Sequence, residues 1–246
     1  MALVKEKAAM HLLAGDPGHG PRGSHEVLRR AVRALGKSRP TLAYLGCASG
    51  ESAPFRLLIS RSLEAAGCGR VVNVALGGRW PNLSAAKSCL DAADGVFVSG
   101  GDVERGMAVL ERLDLSDYLR TLAEQGKPFI GISAGSIMLA RSWIRWGDTG
   151  EDASAEVFPC LGLVPLYCDT HDEESGWVEL HDLLRLLPAG SEGWGIPSGG
   201  DLVVSPGAAV TWMGPAPARF RRTRFGVLEI LGSGRPDGNS QGAPDS

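Results

Sequence analysis

No two cysteines in this chain are spaced as C-x-x-C; the five present, Cys47, Cys68, Cys89, Cys160 and Cys168, are odd in number and widely scattered. That excludes a zinc knuckle or a dithiol redox motif and reads as reduced thiols in a cytoplasmic protein. Basic charge is also short: 25 Lys and Arg face 28 Asp and Glu, a net charge of −3 with a pI near 6.0. A nucleic-acid platform normally carries a basic surplus, so a small-molecule partner is expected and no nucleic acid. Long hydrophobic runs are missing too. The apolar run Met10 to Ala14 is broken by His11 and is much too short for a secretory core or a membrane span, so neither a leader nor an anchor is expected.

What is present is enough apolar content, 43% of 246 residues, to bury one large core. The expected organisation is one domain over 1–231. The stretch 232–246, rich in Gly, Ser, Pro and Asp, has little to bury and is expected to be a disordered tail. Short apolar runs near 10–14, 41–47, 71–76, 95–99, 128–132 and 163–168 read as strands. Between them lie amphipathic stretches: one capped by Ser24 with Val27, Leu28, Ala31 and Leu35 on one face, then others near 52–66, 83–92, 103–112, 115–125, 134–143 and 177–187. This alternation predicts an α/β protein, a three-layer α/β/α sandwich around a mostly parallel sheet. After about residue 190 the texture turns to strand and turn, suggesting a β-rich closing edge.

Ligands of such sheets bind beyond the carboxyl ends of the strands. Four of those ends carry chemistry: Gly15-Asp16-Pro17-Gly18-His19-Gly20, Ser99-Gly100-Gly101-Asp102, Ser133, and Asp169-Thr170-His171. Ser133 sits in Gly131-Ile-Ser-Ala-Gly135, where a buried strand becomes a helix and small residues leave room for a tight turn that projects a nucleophile. Its hydroxyl needs a base, and His171 is the candidate. His11 lies inside a strand, His25 and His181 in helix registers and His19 in a glycine loop. Asp148, 15 residues after Ser133, is the candidate to orient His171. Gly101 and Ala134 are the natural backbone donors for an oxyanion. Asp16, Asp102, Asp169 and Glu173 are expected on the substrate side, and the acids after His171 would favour a cationic group on the substrate.

Three segments resemble the dipeptidase E and cyanophycinase family of serine peptidases: Val96-Phe-Val-Ser-Gly-Gly-Asp102, the turn 131–135, and Leu161-Gly-Leu-Val-Pro-Leu-Tyr-Cys-Asp-Thr-His171. The family's fold is similar to that of class I glutamine amidotransferases, a flavodoxin-like arrangement. The resemblance implies Ser133 as nucleophile, His171 as base, and Gly101 with Ala134 as oxyanion hole. Asp148 matches the acid of dipeptidase E-like members in spacing. Cyanophycinase-like members take a glutamate from a late Gly-Ile-Asp-Glu segment, which here reads Gly195-Ile-Pro-Ser198, so the third member is Asp148, another acid such as Glu151 or Asp152, or absent. The arginines that usually follow the histidine are replaced by Asp172, Glu173 and Glu174, so selectivity for an N-terminal aspartate is not carried over.

The resulting expectation is a cytoplasmic serine peptidase, monomer or homodimer, that cleaves short peptides or isopeptide-like bonds through an acyl-enzyme, without metal or organic cofactor. An α/β-hydrolase esterase would place its histidine after the last strands, and a glutamine amidotransferase would need cysteine at the turn. The non-enzymatic alternative is a degenerate relative that binds a small amino-acid-like ligand.

Overall fold

The computed structural model describes residues 7–15, 22–147, 155–230 and 235–236. Five short strands form its parallel centre: β1 (Met10–Leu13), β2 (Thr41–Leu45), β3 (Arg70–Asn73), β4 (Gly95–Val98) and β5 (Phe129–Ile132). They lie in the order β1-β5-β4-β2-β3. Side chains alternate across a strand, so each run of consecutive apolar residues serves two cores. Leu13, Leu42, Tyr44, Phe97, Ile130 and Ile132 face one core. There they meet Val27, Leu28, Ala31 and Val32 of α1 (Arg22–Arg33) with Ile59 and Leu63 of α2 (Ala53–Ala65). Leu12, Ala43, Leu45, Val96, Val98 and Phe129 face the other. That side is covered by α3 (Leu83–Ala92), α4 (Val103–Arg112), α5 (Ser116–Glu124) and α6 (Ala134–Leu139). The result is the expected α/β/α sandwich. Because α1 begins at Arg22, Ser24 lies inside the helix rather than capping it.

The chain departs from expectation after α6. That helix stops at Leu139 instead of running to 143, because the backbone of Ala140 is already extended, with φ −72° and ψ −178°. Ser142–Arg145 then forms β6, which pairs antiparallel with β7 (Glu156–Pro159). The apolar run 163–168 is not a strand of the main sheet. Its Pro165 has no N–H to give to a ladder, and strand β8 starts only at Tyr167, running to Thr170. β8 is followed by α7 (Val178–Leu186) and pairs in parallel with β9 (Glu192–Ile196). With β12 (Ala218–Thr223) and β13 (Gly226–Glu229) these make a separate four-stranded sheet.

The closing edge is β-rich as expected. β10 (Asp201–Val204) runs antiparallel to β1, and β11 (Val210–Met213) antiparallel to β10. Two residues of the expected tail, Arg235–Pro236, form β14 beside β11, while 237–246 lie outside the described residues. All five cysteines are free thiols. No described helix is long and apolar enough to cross a membrane.

Candidate active site

The turn at Ser133 follows from two glycines that cannot be replaced in place. A Cβ on Gly131 would sit 2.7 Å from the Gly135 carbonyl, and one on Gly135 would sit 2.1 Å from Val98 O. These contacts let α6 begin immediately beyond β5 and lie against the end of β4. Ser133 is forced to φ 52° and ψ −126°, a left-handed conformation rare for a residue with a side chain. Its N–H donates to Leu13 O at 2.9 Å, so the strained residue is pinned from the β1 side.

His171 arrives from the second sheet. It also has a positive φ, 47°, and its N–H donates to Ile196 O at 2.9 Å, fixing the loop after β8 to the end of β9. The imidazole thereby reaches the main sheet's carboxyl edge, and Ser133 Oγ lies 2.6 Å from His171 Nε2. With the Nδ1-protonated tautomer, the hydroxyl donates to Nε2. Gly100 and Gly101 sit beside Ser133. A Cβ on Gly100 would be 3.2 Å from Ser133 Cβ, and Gly101, at φ 139°, packs so closely on Ala48 O that a Cβ would stand 2.2 Å away. Ala134 is the first residue of α6, where N–H groups have no partner within the helix. Neither its N–H nor that of Gly101 donates to any backbone carbonyl outside the regular elements, among the described residues.

A cleft of about 720 Å³ opens on one side of the Ser133–His171 pair, lined by Gly15, Phe55, Gly101, Glu173, Glu174 and Ser198 among others. A second, of about 480 Å³, opens on the other side, against Asp102, Glu104, Trp143, Asp169, Asp172 and Glu179. No Lys or Arg is among the described residues lining either. A further hollow of about 740 Å³ lies at the opposite edge of the sheet, near His11, Lys37 and Lys127. Its lysines are engaged, Lys37 with Asp94, and Lys127 with the carbonyls of Asp91 and Ala93, and nothing nucleophilic lies there.

Asp169 is 5% exposed, and burial pushes its carboxyl up to about 7 against the single N–H of Thr170, with Asp172 and Glu179 adding to the rise. Its Oδ2 has no hydrogen-bond partner among the described residues, nor has the buried Oδ2 of Asp172. Glu179 is raised too, by burial and then by Asp172 and Asp182. Glu173 goes the other way. Burial opposes its ionisation, but hydrogen bonds from its own N–H and from the Ser198 hydroxyl and N–H, with the charge of His171, hold it below the ordinary range. Asp102 caps α4, its carboxylate accepting the N–H of Arg105 at 2.9 Å.

Ser133, His171, Gly101, Ala134, Asp102, Asp169 and Glu173 are thus brought to one place. Asp16, Asp148, Glu151 and Asp152 lie outside the described residues. Of the other histidines, His11 bonds buried Asp201 at 2.9 Å and His181 stands edge-on to Phe220. Phe55 and Glu179 were not singled out from sequence as site residues, whereas Asp172 belongs to the acidic run after His171 that was expected beside the substrate. Phe55 had a legible signal, since Ser52 caps α2 and Pro54 opens it, which aims the first turn of that helix at the strand ends.

A model of peptidase family S51 matches residues 12–209. The chain belongs to peptidase family S51. Within it, a peptidase E of Shewanella amazonensis (strain ATCC BAA-1098 / SB2B) is 38% identical over 79 residues, 32% of this chain and 33% of that protein. A cyanophycinase of Nostoc sp. (strain PCC 7120 / SAG 25.82 / UTEX 2576) is 28% identical over 166 residues, 65% of this chain and 54% of that protein. The matches therefore span about a third to a half of these curated relatives. In three dimensions, a peptidase from an acI-B1 actinobacterium superposes with a TM-score of 0.68 over 94% of this chain and 96% of that one, at 15% identity. That likeness establishes the S51 chain's fold, a mixed α/β arrangement around a large, mostly parallel sheet.

Proposed function

We propose that this chain is an active serine peptidase that hydrolyses short peptides or isopeptide-like bonds through an acyl-enzyme on Ser133. The observation that carries the reading is the 2.6 Å contact between Ser133 Oγ and His171 Nε2 at a strained turn. In the reaction, Nε2 takes the hydroxyl proton as Oγ attacks the scissile carbonyl. The N–H groups of Gly101 and Ala134 receive the developing oxyanion. The imidazolium then protonates the leaving amine, and water, deprotonated by the same Nε2, releases the acyl group. Asp148 is the candidate acid from the segment after the nucleophile helix.

The cleft chemistry narrows the substrate. Asp169 and Asp172 each keep a carboxylate oxygen without a partner, and no basic side chain lines either cleft among the described residues. A positively charged group on the substrate, an ammonium or a guanidinium, complements this acidic lining, so Asp169, with Asp102 at the rim, is read as part of the substrate side.

The test is acylation of Ser133. Wild type and Ser133→Ala are treated with a fluorophosphonate probe, intact mass is read, and a dipeptide library is screened for release. Labelling and turnover lost together in the variant support the reading. A folded wild type that neither labels nor turns over overturns it in favour of a ligand-binding relative.

A further inference from the structure

The four-stranded sheet that delivers His171 ends, on the side away from it, in an open edge. Its strand order is β13-β12-β9-β8, so His171, which follows β8, stands at one margin and β13 at the other. Among the described residues no strand pairs with the far side of β13. One bond fixes the direction of its free groups. Ile230 N–H donates inward to Arg219 O at 2.8 Å. In an antiparallel pair such inward groups recur at every second residue, so Leu228 also bonds toward β12, while the N–H and C=O of Val227 and Glu229 point out. Free edges are usually blunted by lysine, proline or a bulge. β13 has none of these, and Leu228 is 56% exposed on it.

This edge is complementary to itself. With two copies of β13 set antiparallel about a two-fold axis at Leu228, Val227 of each copy exchanges both hydrogen bonds with Glu229 of the other. The two Leu228 side chains then meet as the closer, non-hydrogen-bonded pair, on the face that Arg221 shares. On the opposite face, Glu229 of the second copy comes beside Val227, and the next residue in that row is Arg222. Arg222 has a buried Nε without a hydrogen-bond partner among the described residues, and its Nη1 donates to the carbonyl of Thr223. Glu229 of the second copy supplies the missing acid.

We propose that the protein forms a two-fold homodimer through β13, joining the two small sheets into one continuous sheet. Each His171 then lies at an outer margin, with β12 and β9 between it and the edge strand. Two four-residue edges cover only part of a standard interface of roughly 1,200–2,000 Å², so the dimer is concentration-dependent.

Light scattering on the intact chain should give twice 25.8 kDa at about 100 μM and fall toward 25.8 kDa below about 1 μM. Leu228→Lys sets two like charges at the axis, and Val227→Pro removes an outward N–H without touching the β12 ladder. Both should stay monomeric at the higher concentration with wild-type circular dichroism. Under mild oxidation Leu228→Cys should cross-link into a covalent dimer. Wild type, with its own five free cysteines, should not, nor should Phe225→Cys, whose position is 84% exposed but off the axis. A wild type of 25.8 kDa at every concentration overturns the proposal. So does a dimer that Leu228→Lys leaves intact, or a Phe225→Cys that cross-links as readily as Leu228→Cys, since either puts the contact elsewhere.

Discussion

At φ 52° and ψ −126°, Ser133 occupies backbone space that glycine fills without cost and that a serine enters at about 1–3 kcal/mol. The strain persists because α6 cannot back away: Gly135 already touches Val98 O, and Ser133 N–H is bonded to Leu13 O. Ser133→Gly should therefore lose all turnover yet unfold at higher urea, with a gain of about 1 kcal/mol after the glycine's extra unfolded-state entropy is discounted. Urea melts of both proteins check it, and an unchanged or lowered midpoint means the turn stores no strain. Asp169 offers a second residue-scale test. Its carboxyl is raised from 3.8 to about 7, mainly by burial, so the folded state holds the proton more tightly than the unfolded one. Stability from this group is full below about pH 4, drains as pH climbs toward 7 and stays lost above. Asp169→Asn should match wild type near pH 4 and exceed it at pH 8 by roughly 2–4 kcal/mol. An equal difference at both pH values would show that the group does not titrate in this range. The meeting of Ser133 and His171 was legible in the sequence because small residues at a strand-to-helix turn and a histidine after an apolar run are local signals. The oxygen of Asp169 that has no partner among the described residues was not, since that depends on what α4 and α7 bring near it.

At the scale of elements, one close approach helps to hold the histidine loop beside its hydrogen bond to β9. Trp177 lies on Gly195 of β9, and any side chain at 195 must push the indole and, with it, the turn that ends at His171. Gly195→Ala should destabilise by about 1–3 kcal/mol and lower kcat about tenfold or more while the fold persists. Thermal melts paired with dipeptide kinetics decide; a loss of stability without a loss of kcat would mean that His171 is held independently of Trp177. This arrangement was only partly readable beforehand. The five parallel strands announced themselves because both their faces are buried, giving runs such as Val96-Phe97-Val98. β8 hid, because Asp169 and Thr170 interrupt its apolar run and the preceding Leu163–Leu166 looks more like a strand than the strand does. β6 hid behind α6 for a related reason. Ser142-Trp-Ile-Arg continues a helix-like apolar spacing, and only its pairing with Glu156–Pro159, a long-range contact, makes it a strand.

Over the whole molecule, charge is nearly balanced at −3, but it is not evenly spread around the cleft. Asp102, Glu104, Asp169 and Glu179 line one side of the Ser133–His171 pair, Glu173 with Glu174 the other, and Asp172 both. A concave wall of one sign focuses the field and raises the local concentration of oppositely charged solutes, an effect that salt removes once the screening length drops below the cleft's dimensions. For peptides carrying a lysine or arginine side chain, kcat/KM should fall several-fold as ionic strength rises from about 0.01 to 0.3 M, where the screening length shrinks from about 30 Å to well under 10 Å. Peptides with acidic side chains should be poor substrates that improve over the same range, because screening relieves repulsion. The rates of matched Lys, Ala and Glu dipeptides against salt measure both slopes at once. Parallel slopes for all three would mean that the acids do not select, and that the cleft's charge is balanced by groups outside the residues described here. Opposite slopes that collapse to one line in Glu179→Gln would place the selecting field at the side of Ser133 away from Glu173, since Glu179 lines that side alone.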